Sequence, residues 1–184
     1  MKPIIDKNKR EKTNWYVITG APCSGKTTVV NMLRKRGYKT AVEEARHYLN
    51  TLRRDGKTVE EIEAHHREFQ LGVLNMQIEQ EQSLNPDDIV FLDRAIPDAL
   101  AYYRFLNLDV DEKLTEALKS VSYKKVFILE YLPLVQDYAR REDVTAQKKL
   151  HELITEVYTS LPFQVIKIPV LRPEYRIEII LKNL

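Results

Sequence analysis

The sequence predicts an α/β domain in which a parallel sheet is covered by helices on both faces. Three observations predict it. Short runs of β-branched, aliphatic and aromatic residues alternate with longer stretches of helical spacing. The run Ile89-Val90-Phe91-Leu92 is apolar without a break, as suits a strand buried on both faces. The first predicted strand also leads through a turn bracketed by glycines directly into a helix, the strand–turn–helix order of α/β units.

The elements follow in order. Residues 1–13 carry Lys7, Lys9, Arg10 and Lys12 and are expected to be a flexible tail; residues 14–184 form one domain. Trp15–Thr19 is rich in β-branched and aromatic residues and predicts a strand. Gly20–Gly25 is the turn. Lys26–Lys35 has helical spacing with Val29, Val30 and Leu33 on one side, and Gly37 ends it. Thr40–Val42 is a short second strand, and Glu43–Arg54 a helix stopped by Asp55-Gly56. Thr58 with Glu61 makes a capping box, from which one long helix is expected to run through Ile62, Phe69, Val73 and Met76 to near Ser83. After the turn Asn85-Pro86-Asp87 comes the strand Ile89–Leu92. Pro97 then sits in the first turn of a helix reaching Phe105. A helix over Asp111–Ser120, a strand over Lys125–Leu129, a helix over Val144–Thr159, a strand over Gln164–Ile168 and a helix opened by Pro173 complete the chain.

Composition excludes some classes of function. A net charge of +2 gives no strong field for nucleic acid or a membrane surface. The ten tyrosines do not form a stacking platform for bases. No apolar run is long enough to span a bilayer. Cys23 is the single cysteine, so no internal disulfide can form; with no signal peptide in view, a reducing, cytoplasmic setting is expected. His47, His65, His66 and His151 form no ligand motif and are read as surface or supporting residues.

The turn carries the chemistry. Gly20-Ala21-Pro22-Cys23-Ser24-Gly25-Lys26-Thr27 matches G-x-x-x-x-G-K-[ST] in full, between a strand and a helix. Glycines let the backbone amides turn inward and approach phosphates. The helix that follows adds the positive end of its dipole, with Thr28 in its first turn. Lys26 is expected to reach the β and γ phosphates and Thr27 to ligate Mg²⁺. The reading is therefore a nucleoside triphosphate site, for ATP or GTP; no N-K-x-D guanine-recognition pattern is present.

Other residues fall on the same edge of the sheet. Asp93 closes the run Ile89–Leu92, so it is either a Mg²⁺ carboxylate or a helix N-cap. In open parallel sheets ligands bind beyond the carboxyl ends of the strands, where Asp93 and Arg94 stand. Glu43 and Glu44 end the second strand. Either can serve as a base toward an acceptor hydroxyl or simply begin a helix, and Arg46 can clamp an acceptor. A charged segment, Tyr138–Asp143, is either a solvated turn or part of a lid near 131–145, from which Arg140 or Arg141 would meet the γ-phosphate. Arg172, after the last strand, can lie against the nucleotide base. Gln70 and Gln77, two turns apart on one helix face, can bond a base or sugar, although the exposed side is favoured. Tyr102 and Tyr103 read as packing residues.

Taken together, Thr19–Thr27, Gly37-Tyr38, Glu43-Glu44-Ala45-Arg46 and Phe91-Leu92-Asp93-Arg94-Ala95-Ile96-Pro97-Asp98-Ala99 resemble a family of small single-domain P-loop proteins called AAA-type ATPases, although they look kinase-like. The resemblance runs from Trp15 over nearly the whole chain. It implies the three-layer P-loop NTPase fold, a five-stranded sheet of order 2-3-1-4-5 and an Arg-bearing lid. The layout is also similar to ribosylnicotinamide kinase domains and, more distantly, to deoxynucleoside kinases. In those, an acidic residue after the second strand serves as base with Arg three residues on, a spacing that Glu43 and Arg46 match. Asp93-Arg94 resembles their acidic-Arg pair after the third strand. One departure is Glu130-Tyr131-Leu132-Pro133, where the family often has a Pro-Pro-Trp-like segment. The expectation is a Mg²⁺-dependent phosphotransferase acting on a small nucleoside-like metabolite. The alternatives are a nucleotide-dependent switch and an NTPase with water as acceptor.

Overall fold

A computed structural model describes residues 12–41, 44–131 and 144–184. Glu43, Arg140 and Arg141, most of residues 1–13 and most of the segment 131–145 lie outside the described residues.

The elements are β1 (Trp15–Thr19), α1 (Lys26–Lys35), β2 (Lys39–Ala41), α2 (Glu44–Arg54), α3 (Val59–Ala64), α4 (His66–Ser83), β3 (Val90–Asp93), α5 (Ile96–Phe105), α6 (Glu112–Ser120), β4 (Lys125–Leu129), α7 (Val144–Ser160), β5 (Gln164–Ile168) and α8 (Pro173–Lys182). All four strand pairings are parallel and the sheet order is β2-β3-β1-β4-β5, the order the resemblance implied. With β1 central, residues Trp15–Ile18 pair with Val90–Asp93 on one side, and Tyr16–Thr19 with Lys125–Ile128 on the other. This register brings the ends of β1 and β3 level, and so sets the turn after β1 beside Asp93.

Alternation along β1 divides the core. Trp15 and Val17 face a layer built with Leu74, Leu100, Tyr103, Leu118, Leu150 and Tyr158 from α4 to α7. Tyr16 and Ile18 face the opposite layer, with Val29 and Leu33 of α1 and Ile177 and Ile180 of α8. There Tyr16 stacks on Phe91 and Phe127 at 5.4 and 6.3 Å between centroids, and Tyr38 meets Phe91 edge-on at 5.3 Å. Burying each such side chain stabilises the fold by about 1.5–3 kcal/mol, so the sheet that carries the site is anchored from both faces.

The single long helix expected after Thr58 is instead two. The capping box is present: Thr58 Oγ1 accepts from the Glu61 amide at 3.2 Å and Glu61 returns a bond to the Thr58 amide at 2.8 Å. The helix then breaks at His65 (φ −122°, ψ 51°). The His65 ring takes up the Glu61 carbonyl at 2.9 Å, closing α3 before α4 restarts. On the new axis Phe69 sits 5.6 Å from Tyr48 of α2, and Gly72 leaves room for that ring, because a Cβ there would lie 2.2 Å from Tyr48 Cζ. Among the described residues no helix is long and apolar enough to cross a membrane.

Candidate phosphate-binding site

The turn Gly20–Gly25 is shaped by residues with positive φ: Gly20 (139°), Cys23 (58°) and Gly25 (83°). Gly20 is required for space as well, since a Cβ there would stand 2.4 Å from the Leu129 carbonyl oxygen. Gly25 ends the turn as the N-cap of α1, and no side chain caps that helix. The first-turn amides of α1, including those of Thr27 and Thr28, therefore meet no side-chain capping oxygen, the arrangement that suits an anion.

Lys26 is buried, and its Nζ donates to Gly20 O at 3.1 Å, Ala21 O at 2.9 Å and Ser24 Oγ at 3.3 Å. The ammonium is folded onto the turn that surrounds it. Thr27 Oγ1 donates to Asp93 Oδ2 at 3.0 Å. The two residues read from sequence as magnesium ligands thus touch across the ends of α1 and β3. Their hard oxygens fit Mg²⁺, which keeps several waters and needs only one or two protein oxygens beside phosphates. No group of three or more His, Cys, Asp or Glu among the described residues could hold a metal, so the fit is to this minimal kind of site.

Arg94 follows Asp93 in a left-handed conformation (φ 70°), strained for a residue with a Cβ. Its amide donates to Ile18 O at 3.0 Å, which pins the turn to β1. Its side chain is turned inward, 5% exposed, with Nη1 on Asp98 Oδ1 at 2.8 Å and the guanidinium 5.3 Å over the Tyr102 ring. Asp98 gathers three more donors: Thr19 Oγ1 at 2.6 Å, Tyr158 OH at 2.6 Å and the Ala95 amide at 3.2 Å. One carboxylate thus joins the stem of the phosphate turn, the Asp93–Arg94 turn and α7. Burial pushes the Tyr158 phenol up, and the charge of Asp98 adds to this.

Glu81 of α4 supports the same turn. Its Oε1 accepts from the Ile96 amide at 3.2 Å, and both carboxyl oxygens accept from Tyr123 OH at 2.9 Å. Burial raises its pKa to about 7, against the lowering effect of the Tyr123 and Ile96 bonds. Glu81 and Tyr158 went unrecognised in the sequence, and Asp98 entered only as part of the Phe91–Ala99 run that carries the resemblance, with no role attached; the available signal for Glu81 was a carboxylate on an otherwise core-facing helical stripe.

The remaining candidates separate. Arg46 is half-buried on α2. Gln70 and Gln77 are 7% and 5% exposed, so the expectation that they face solvent is wrong. They share the inner face of α4 with Val73, Leu74 and Glu81, which the polar-rich sequence of that helix concealed. Arg172 is exposed at the start of α8, 4.9 Å over the Tyr175 ring and bonded to its hydroxyl at 2.8 Å; Val170 and Leu171 are exposed beside it. His47, His65 and His66 are exposed, whereas His151 is buried. Its Nε2 lies 3.2 Å from Glu130 Oε2, and burial lowers its pKa. Tyr103 is buried in the core, as read. A cleft of ≈ 390 Å³ between α2, α3 and α4 is lined by Tyr48, Leu52, Ile62 and Phe69 with Lys57 and His65; no residue of Gly20–Thr27 lines it.

Comparison with known proteins bears on this geometry. A family model described as an AAA domain matches residues 15–176. No curated protein matches the chain. Among solved structures, deoxyadenosine kinase from M. mycoides superposes with a TM-score of 0.68 at 16% identity, over 92% of this chain and 97% of that one. The NadR protein in complex with NR superposes with a TM-score of 0.67 at 16% identity, over 92% of this chain and 49% of NadR. Thymidylate kinase from Ehrlichia chaffeensis gives 0.64 at 14% identity, over 94% and 98%. At these identities the likeness is one of fold.

Proposed function

Since the chain belongs to the AAA domain family, matched from Trp15 to Arg176, we propose that it is a Mg²⁺-dependent phosphotransferase that uses ATP, or GTP, to phosphorylate a small nucleoside-like metabolite. The observation that carries the reading is the contact of Thr27 with Asp93, 3.0 Å apart beside the buried Lys26 at the carboxyl edge of the sheet. Two kinases of the same fold, deoxyadenosine kinase and thymidylate kinase, support the choice of phosphoryl transfer.

Each residue has a role in this reading. The amides of Gly20, Ala21, Pro22 excepted for want of an N–H, and of Cys23, Ser24 and Gly25 cradle the phosphates, and Lys26 leaves the loop oxygens to bind them. Thr27 and Asp93 would hold Mg²⁺, which when bound neutralises charge on the phosphate oxygens. Glu43 takes the proton of the acceptor hydroxyl. Arg46 and Arg94 position the acceptor or the phosphoryl group, Arg94 from a backbone locked by Ile18 and a side chain locked by Asp98. Gln70, buried on α4, offers an amide to the acceptor. Arg140 or Arg141 meets the transferring group, and Arg172, with Tyr175 beneath it, faces the nucleobase.

The test is a metabolite screen for ATP-dependent phosphorylation, run beside an acceptor-free control that measures hydrolysis. An acceptor-dependent product is expected. Turnover that is the same with and without every acceptor would transfer the assignment to simple hydrolysis. Lys26→Ala should abolish triphosphate binding and turnover. Glu43→Gln should lower transfer by about two orders of magnitude or more, with nucleotide affinity nearly unchanged; unaltered turnover would remove Glu43 as the base.

A further inference from the structure

A phosphate-binding turn points amides at its ligand, so those carbonyls not taken up inside it, as Gly20 O and Ala21 O are by Lys26, face the protein, where a buried carbonyl must find a donor. Two outward carbonyls of this turn are held by side chains from distant helices. Gln147 Nε2, on α7, donates to Pro22 O at 2.7 Å. Arg176, on α8, donates through Nη1 to Ser24 O and through Nη2 to Glu130 O at 3.1 Å. Gln147 and Arg176 are 1% and 2% exposed.

Holding a guanidinium there is costly. Burial lowers the Arg176 pKa, opposed by the charge of Glu130, and its helix neighbours Ile177 and Ile180 belong to the apolar core. An apolar side chain of similar volume would pack in that position at lower desolvation cost. What it would not do is tie the phosphate turn to the end of β4, or set a fixed positive charge behind the anion site.

We propose that Arg176, assisted by Gln147, is a positioning residue that holds Gly20–Gly25 in its phosphate-ready form before nucleotide arrives. The proposal rests on the reading of Gly20–Thr27 as a triphosphate site. Arg176 acts through the loop: its fork fixes the Ser24 peptide plane, and its charge adds to that of Lys26 and the α1 dipole. Nucleotide affinity is therefore controlled from the last helix of the domain, through a residue with no part in the phosphate-loop motif.

The experiment measures binding of Mg·ATP and of inorganic tripolyphosphate to the full chain by calorimetry. Amide hydrogen exchange of the empty protein is followed in parallel. Arg176→Met should weaken both ligands on the order of thirtyfold, the scale of one charged hydrogen bond. Arg176→Lys, which keeps the charge and loses the fork, should fall between it and the wild type. Gln147→Leu, which removes a neutral bond and keeps Arg176, should weaken both roughly fivefold, and it keeps the proposal testable should Arg176→Met not fold. Exchange at residues 21–25 should accelerate in each variant while exchange in β1 and β3 stays unchanged. Affinities within twofold of wild type, or acceleration spread equally over β1 and β3, would overturn the proposal. Failure of the wild type itself to bind either ligand would instead overturn the triphosphate reading.

Discussion

Glu81 makes the stability of this protein depend on pH in a way that can be worked out from its surroundings. The carboxyl is fully buried, and burial raises its pKa from 4.5 to about 7. The native state therefore holds this proton through a pH range in which the unfolded chain has released it. The stabilisation is complete below pH 4.5 and is lost as pH rises through 7. The pKa change corresponds to about 3 kcal/mol between those limits. Glu81→Gln keeps one carbonyl oxygen, which can accept from both the Ile96 amide and the Tyr123 hydroxyl as Oε1 does, and it has no charge to bury. Urea unfolding of both proteins at pH 5 and pH 8 is the assay. Every other titrating group, His151 included, is common to both proteins and cancels in the comparison. Because pH 5 already lies above 4.5, the Gln variant should gain about 2.5 kcal/mol relative to wild type between pH 5 and pH 8, or about 1 M in urea midpoint at an m-value of about 2–3 kcal/mol/M. A stability difference that is equal at the two pH values would refute the claim that burial of Glu81 governs its proton.

Two further outcomes follow from the same region. Asp98→Asn removes the carboxylate that Arg94 Nη1 meets at 2.8 Å inside the protein and should cost about 3 kcal/mol in denaturant unfolding. In an Arg94→Met background the same change should cost at least about 1 kcal/mol less, and strict additivity would contradict the Arg94–Asp98 pairing seen at 2.8 Å. Gly20→Ala places a Cβ 2.4 Å from Leu129 O at a φ of 139°; it should lower stability by about 2 kcal/mol or more and weaken Mg·ATP at least tenfold, read by thermal unfolding and calorimetry.

Much of the frame can be read from local sequence because its signals are local. The strand runs, the Gly20–Thr27 motif, the Thr58 capping box and Pro97 at a helix start are short-range patterns, and each stands in the structure, β2 (Lys39–Ala41) and β3 (Val90–Asp93) shifted by one residue from their expected bounds so that Ile89 lies exposed before its strand. The sheet order came by resemblance, since no periodicity in one chain states which strands adjoin. The break at His65 had no glycine or proline to announce it; it depends on a ring capping a carbonyl one turn back. Gln70, Gln77 and Glu81 escaped because α4 mixes amides and aliphatics, so its inner face is defined by what packs on it. Arg176 lies 152 residues from the carbonyl it holds, and nothing beside it in sequence marks that role. Buried polar partners are a property of the assembled core, and their pairing becomes visible only when the helices are in place.

The folded-back Lys26 has a consequence for selectivity. Its ammonium meets the Gly20 and Ala21 carbonyls and the Ser24 hydroxyl, so any anion that pairs with it must displace them. The exchange leaves the number of bonds to the ammonium nearly constant and swaps neutral oxygens for ionised ones. The gain then grows with the charge of the newcomer. A weakly charged phosphate competes poorly against the loop's own carbonyls, while a polyphosphate carries enough charge to win. The lysine's own loop is thus the competing ligand against which any anion at Lys26 is weighed by its charge.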